Sequence, residues 1–302
     1  MRALVTGGAG FVGTNLVNRL IKDNHNVVIL DNLSTGNKEN INPKASFNQM
    51  DISLKTAPDY LTMLMKGVDV VFHTAAKARV QPSIDNPIEF NDVNVTGLLN
   101  VLKSAVDAGV HRFIYSSSSS VYGNVEQTPT PENHKLNPLS PYALQKLIGE
   151  QYCKLFSNLY NIETACLRYF NVYGERQLLE GAYSLVMGKF ANQRLNGEPM
   201  TIRGDGEQRR DFTYVGDVVD ANVRCMDYPL ELNSDVFNIG NGDNRSVNQL
   251  ADMIGGERVN VSPVIEPKET LADNSLAKRV LGWRTTVKIE DWIKIYKGVL
   301  GL

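Results

Sequence analysis

Tyr142 and Lys146, in the stretch Pro141-Tyr142-Ala143-Leu144-Gln145-Lys146, have the types and spacing of an acid–base pair. On a helix a four-residue step puts both side chains on one face. A phenol ionises near about pH 10, so lowering it by ~3 units for work near neutrality takes about 4 kcal/mol of differential stabilisation. A neighbouring ammonium, with any further positive charge bound beside the ring, would supply that stabilisation. The same pair also arises on ordinary surface helices, so its neighbours decide its meaning. Five serines at 116–120 follow the apolar segment 112–115. A hydroxyl just past the C-terminal end of a parallel strand sits where open α/β sheets bind ligands. There it can share a proton with Tyr142.

A third constellation, Gly7-Gly8-Ala9-Gly10-Phe11-Val12-Gly13, lies between an apolar run and a helical pattern. Glycines here let the backbone turn tightly and bring a dinucleotide pyrophosphate to the helix N-terminus, whose N–H groups favour anions. Asp31 closes the second apolar run, where a carboxylate accepts hydrogen bonds from the adenosine ribose and repels a 2′-phosphate. No arginine follows Asp31, so NAD is expected rather than NADP.

The hydropathy pattern provides the scaffold that would position these groups. Continuous apolar runs predict strands over 2–6, 27–30, 68–72, 112–116 and 164–167, with helices from residue 12 to 20 and over 88–108 and 141–160. Such runs, separated by helices, indicate a parallel sheet covered on both faces. The expected fold is α/β, a doubly wound parallel (Rossmann) sheet with a smaller, mixed substrate-binding lobe. The dinucleotide-binding domain should span 1–170, with 211–241 returning to it, and the lobe 171–210 and 242–302. Beyond Asn171 the pattern shortens into helices over 184–196, 216–225, 247–254, 275–281 and 290–299, and strands over 200–203 and 236–239. With no Pro/Ser linker, the two parts should pack closely.

Composition excludes several function classes. The 302 residues carry 31 Lys+Arg against 33 Asp+Glu, a formal net charge of −2. That balance argues against binding nucleic acid through bulk electrostatics. A chain of this length hides roughly 75 % of its extended surface, enough for a large core. Cys153, Cys166 and Cys225 lack metal-ligand spacing and read as free thiols in a reducing compartment, so no metal is expected. No apolar run approaches the ~20 residues of a membrane span, and no basic-then-apolar leader opens the chain. The expectation is a cytoplasmic globular protein without nucleic-acid or membrane partners. His25, His111 and His134 have no partner spacing. His73, Trp283 and Trp292 read as packing residues.

Taken together, these motifs resemble the extended short-chain dehydrogenase/reductase family, and within it the NAD-dependent UDP-sugar 4-epimerases of the UDP-glucose/UDP-N-acetylglucosamine type. The matching stretches are TGGAGFVG, DNLSTG from Asp31, NVTGLLN from Asn94, SSSSSVYG, PYALQK, LRYFNVYG from Leu167, GDGEQRRDFTYVGDV from Gly204, NIGNG from Asn238 and ADNSLAKRVLGW from Ala272. They cover essentially the whole chain. The resemblance implies epimerisation at C4 of a UDP-hexose through a transient 4-keto sugar, with tightly held NAD as reversible hydride acceptor and Tyr142 as base. Ser118 matches the catalytic Ser/Thr position, and Lys146 holds the nicotinamide ribose and depresses the tyrosine pKa.

Cofactor positions implied by the resemblance are Gly7, Gly10, Phe11, Val12, Gly13, Asp31, Asn32, Ser34, Thr35, Gly36, Asp51, Ile52, Thr74, Ala75, Ala76, Lys77, Asn94, Tyr142, Lys146, Tyr169 and Phe170. Asn94 also suits a bracing role behind the active-site helix. Substrate positions are Ser118, Asn171, Val186, Thr201, Arg203, Arg210, Glu266 and Thr270. Asn171 and Arg210 face the diphosphate, and Val186, Thr201 and Arg203 surround the uridine. Thr270 borders the C2 substituent of the sugar, where a small residue admits an N-acetyl group. A homodimer through the helices over 88–108 and 141–160 is also implied.

The sibling reactions differ at one place. Dehydratases of the resembling family carry Asp and Glu just before VYG, and the decarboxylases carry Glu immediately before it. Here the two positions are Ser119 and Ser120, which disfavours both reactions. One departure stands out: the position of a second diphosphate arginine is Pro263. Arg79, at a place where small residues are common, either supplies that missing charge or reaches solvent. The alternatives to the UDP-hexose reading are a UDP-glucuronate 4-epimerase, another nucleotide-sugar oxidoreductase and, on a different footing, a dinucleotide-sensing regulator. Retention of both Tyr142 and Lys146 disfavours the last.

Overall fold

The computed structural model describes residues 1–179, 185–263 and 267–302. In chain order its elements begin β1 (Arg2–Thr6), α1 (Phe11–Lys22), β2 (Asn26–Asp31), β3 (Ser46–Gln49), α2 (Ala57–Leu64), β4 (Val70–His73), α3 (Val80–Asp85) and α4 (Pro87–Asn91). They continue α5 (Leu98–Asp107), β5 (Arg112–Ser118), α6 (Pro141–Leu159), β6 (Glu163–Tyr169), β7 (Val172–Tyr173), α7 (Val186–Leu195), β8 (Met200–Arg203) and β9 (Arg209–Asp211). The chain closes with β10 (Thr213–Tyr214), α8 (Val215–Asp227), β11 (Asn233–Ile239), β12 (Asn244–Ser246), α9 (Val247–Ile254), β13 (Arg258–Val261), α10 (Ser275–Val280) and α11 (Ile289–Leu300).

Seven strands form one parallel sheet in the order β11-β6-β5-β4-β1-β2-β3. The strands are continuous apolar runs because both faces are covered. On one face, Leu16, Val17 and Leu20 of α1 pack with Val218 and Met226 of α8 and with Trp283. On the other, Leu61 of α2, Val101 and Leu102 of α5, and Cys153 and Phe156 of α6 close the core. A smaller apolar cluster joins Tyr173, Phe190, Ile202, Leu250 and Trp292 beside the sheet. The chain order reverses between β1 and β4, the kind of crevice where doubly wound folds bind ligands.

Several elements differ from the sequence reading. The helix expected over 88–108 is interrupted: α4 and α5 are joined by a wide π-type turn over Asp92–Gly97. β3, α2 and α3 were not expected. β3 is short, polar and at the sheet edge, and α3 contains Pro82 and shows no apolar period. β5 runs on to Ser118, so the serines at 116–118 pair with Leu167, Arg168 and Tyr169. The first residues of the helix expected from 184 lie partly outside the described residues, and α7 begins at Val186. All three cysteines are free and buried. No described helix is long and apolar enough to cross a membrane, and no His/Cys/Asp/Glu group among the described residues could hold a metal ion.

Candidate active site

The glycine turn closes β1 onto α1 at the reversal of the sheet. Gly7 has φ +68°, and its N–H donates to the Leu30 carbonyl at 2.7 Å. A Cβ on Gly13 would stand 2.1 Å from the Gly7 oxygen, and one on Gly7 2.8 Å from the Ala75 backbone. Only a bare backbone packs this closely. Gly10 is the N-cap of α1 and brings no capping side chain, so the first-turn N–H groups beside Phe11 and Val12 remain available to an anion.

Asp31, 8 % exposed, forms the rim of this crevice. Its two oxygens accept from the N–H groups of Ala9 at 3.0 Å and Leu33 at 2.8 Å. Gly36 packs against the carboxylate, and Ser34 and Thr35 are exposed on the same loop. Asn32 donates to Asp51 at 2.9 Å, next to buried Ile52. After β4, Thr74 donates to the Thr6 carbonyl at 2.6 Å, and half-buried Ala75 and Ala76 lead to Lys77, which pairs with Glu89. Asn94, in the π-type turn, accepts from the Lys77 N–H at 2.8 Å and donates to the Lys77 carbonyl and Gln145 Oε1, both at 2.9 Å. Both amide hydrogens are thus spent within the protein, which makes Asn94 a brace between the loop and α6.

Ser118, Tyr142 and Lys146 converge at the C-terminal end of β5. α6 starts where Ser140 caps the Ala143 N–H at 3.2 Å and Pro141 occupies the first turn. That start fixes Tyr142 one position into the helix. Ser118 Oγ accepts from the Ser120 hydroxyl at 2.9 Å, and its hydroxyl interacts with the Tyr142 phenol. Lys146 donates to the Ser116 carbonyl at 2.7 Å, with Nζ 6.0 Å from the Tyr142 ring centre and 5.0 Å from that of Tyr115. Tyr169 shares a 3.0 Å hydrogen bond with Ser116 Oγ, and buried Phe170 packs with Tyr122 and Ala272.

Burial pushes the Tyr142 phenol above its usual range, while Ser118 and the charge of Arg79 pull it back. Lys146 is itself lowered to about 8 by burial, with Glu150 and Cys153 acting the other way. His73, stacked on Phe113 and Tyr115 and bonded to Thr6, is pushed down to about 3 by burial and so stays neutral.

On the substrate side, Asn171 donates to the Asp211 carbonyl at 3.1 Å and to Thr270 Oγ1 at 3.2 Å. Arg210, in the same strand as Asp211, is buried and donates to the carbonyls of Arg209 and Lys268. Asn171, Arg210 and Thr270 are thereby brought together. Thr201 lies two residues before Arg203 on β8, bonded to Gln193, and Arg203 is exposed. Half-buried Val186 opens α7. Pro263 is exposed and faces Gly204, and Glu266 lies outside the described residues.

Three positioning groups escaped the sequence reading because each acts across the fold. Ser83 accepts the Tyr142 N–H at 3.1 Å. Glu150 holds Arg168 through two hydrogen bonds of 2.9 and 2.7 Å and accepts from Ser117 at 2.5 Å, all buried. Asp211 accepts from the N–H groups of Asn241, Gly242 and Ala272. Burial still lifts its carboxyl to about 6 against those donors.

A bare glycine cradle, a rim carboxylate and a lysine inside the crevice fit a dinucleotide. The chain is similar over 298 residues to a putative UDP-glucose 4-epimerase of Methanocaldococcus jannaschii, 42 % identical, covering 96 % of this chain and 95 % of the relative. It superposes on a Thermotoga maritima UDP-glucose 4-epimerase solved with UDP-glucose, with TM-score 0.93 and 36 % identity over 99 % of this chain and all of the other. A Methanobrevibacter ruminantium UDP-N-acetylglucosamine 4-epimerase gives TM-score 0.91 at 33 % identity, covering all of this chain and 99 % of the other. Residues 3–240 match the model of the NAD dependent epimerase/dehydratase family, and the chain belongs to that family.

Proposed function

We propose that this chain is an NAD-dependent UDP-sugar 4-epimerase in which Tyr142 is the base. The observation that carries the reading is the convergence of Ser118, Tyr142 and Lys146 at the end of β5, beside the glycine turn. Bound NAD supplies a reversible hydride acceptor, which lets C4 of the hexose pass through a keto state and return in either configuration. Tyr142 takes the proton of the 4-hydroxyl, and Ser118 shares a hydrogen bond with that oxygen and the phenol. Lys146 and Asp31 hold the two riboses of the cofactor. Arg210 and Asn171 bind the diphosphate, for which a guanidinium fork is well suited.

Ser119 and Ser120 offer no carboxylate beside the sugar, which supports epimerisation over dehydration or decarboxylation. Small Thr270, held half-buried among Asn171 and Asp211, supports acceptance of N-acetylated hexoses. A homodimer follows from the same reading. Ile88, 77 % exposed, and Leu144, Leu155 and Leu159, which form one stripe of α6, present apolar surface on the α4 and α6 side. The buried free thiols are consistent with a cytoplasmic enzyme.

The test is to incubate purified protein with UDP-glucose and UDP-N-acetylglucosamine, without added NAD, and to chromatograph the products. The 4-epimers are expected from both. If neither forms, the proposal fails.

A further inference from the structure

Two consecutive residues, Glu175 and Arg176, join the helix that follows the glycine turn to the strands beside Asn171 and Arg210. Arg176 has φ +67°, a left-handed conformation that a side-chain-bearing residue keeps only when its surroundings impose it. Its guanidinium donates to Thr14 Oγ1 at 2.6 Å. Thr14, fully buried in the first turn of α1, donates to the Asn40 carbonyl at 2.9 Å, and the Asn40 amide reaches the Ala9 carbonyl of the glycine turn at 3.3 Å. One residue along α1, Asn15 donates to the Glu175 carbonyl at 3.0 Å. The Glu175 carboxylate binds the other way, accepting from the Tyr214 hydroxyl at 2.9 Å and from Trp292 Nε1 at 3.2 Å. Tyr214 ends β10, which follows Arg210 and Asp211 and pairs with β7, and β7 follows Asn171 directly. Between β7 and the dipeptide, Gly174 packs so tightly on α8 that a Cβ would stand 2.4 Å from Val215 Cγ1.

From this arrangement we infer that Glu175 and Arg176 are positioning residues that fix the register between the cofactor cradle and the diphosphate-binding strands, and with it the distance from the hexose C4 to the hydride acceptor. The inference rests on the reading of the chain as a UDP-sugar 4-epimerase. In that reaction cofactor and sugar are held by different elements. Reacting atoms must meet at about 3–3.5 Å, and a displacement of about 1 Å costs about a hundredfold in rate. Leu16 and Val17 of α1 also pack with Val218 of α8, but apolar contact is non-directional and sets no register by itself. The hydrogen bonds of Glu175 and Arg176 supply the direction. They run from the glycine turn through Asn40 and Thr14 to the dipeptide, and from there to Tyr214, so the two binding regions cannot slide past one another without breaking them.

The experiment compares wild type, Arg176→Ala, Arg176→Lys, Thr14→Val and the double variant Arg176→Ala/Thr14→Val as isolated holoenzymes. Turnover of UDP-glucose is expressed per NAD-loaded site, so that a loss of folded protein does not count as a loss of rate. Arg176→Ala should lower kcat about tenfold, while NAD content and UDP affinity by calorimetry stay at the wild-type level. Thr14→Val should lower kcat as well, and the double variant should be no slower than Thr14→Val, because both substitutions break the same bond. Arg176→Lys keeps a donor on a long stem and should recover most of the rate. A kcat for Arg176→Ala within about twofold of wild type would overturn the inference, as would losses that simply multiply in the double variant. So would a fall in UDP affinity or NAD content large enough to account for the lost rate. A wild type without turnover would remove the epimerase reading and the inference with it, whereas an active wild type matched by Arg176→Ala removes the inference alone.

Discussion

The backbone N–H of Tyr142 donates to the hydroxyl of Ser83, which in turn donates to the Val80 carbonyl at 2.6 Å. A helix leaves its first N–H groups without internal partners. Here one of them is satisfied by a different helix, and Tyr142 is anchored through its own main chain. Ser83→Ala should cost about 1 kcal/mol of stability, the usual cost of a lost cap. It should also lower kcat with little change in KM for the UDP-sugar, and Ser83→Thr should restore it. Steady-state kinetics and urea unfolding check this, and an unchanged kcat in Ser83→Ala counts against the anchor.

Glu150 and Arg168 form a buried pair one helical turn beyond Lys146. Through Ser117 and through Tyr122, which accepts from Arg168 at 2.8 Å, they hold the serine segment near its start and just past its end. Removing one partner leaves the other charge buried and alone, at a cost of about 3–5 kcal/mol. Arg168→Met and Glu150→Gln should each lose that much in denaturant unfolding, and a loss below about 1 kcal/mol would mean the pair is solvated.

His73 gives a pH signature. Burial lowers it from 6.5 to about 3, with the charge of Lys146 adding to the effect. The unfolded chain therefore takes up a proton that the folded protein refuses. The stability due to neutral His73 is complete above pH 6.5 and is lost as pH falls toward 3. Within that window the slope reaches about 1.4 kcal/mol per pH unit. His73→Phe keeps a ring between Phe113 and Tyr115 and should lack this slope. Parallel stability–pH curves for wild type and variant would refute it.

Thr270 bears on sugar choice. Its hydroxyl accepts from the Asp211 N–H and the Asn171 amide, both at 3.2 Å, so its side chain faces the protein's polar cluster rather than bulk solvent. Thr270→Tyr should selectively lower kcat/KM for UDP-N-acetylhexoses, by about tenfold or more, while sparing UDP-glucose and UDP-galactose. Equal effects on both pairs would show that the residue does not border the C2 substituent.

What the sequence made legible was local. Ser140 and Pro141 announce the start of α6, apolar runs announce the buried strands, and the Gly7–Gly13 spacing announces a turn that only bare backbone can make. What stayed hidden depends on distant partners. The α3 segment has a proline in its middle and no apolar period, yet Ser83 finds Tyr142 across 59 positions. The π-type turn at Asn94 leaves the helical period of its flanks intact, so nothing in the pattern marks it.

The central claim is that Tyr142 is the base of a UDP-sugar 4-epimerase, and the most direct measurement is turnover of UDP-glucose to UDP-galactose by Tyr142→Phe without added NAD. The substitution keeps the ring and removes only the phenol oxygen. Turnover should fall by at least about 100-fold, the typical contribution of a positioned general base, while the NAD content of the purified protein stays at the wild-type level. Near-normal conversion by Tyr142→Phe would contradict the account.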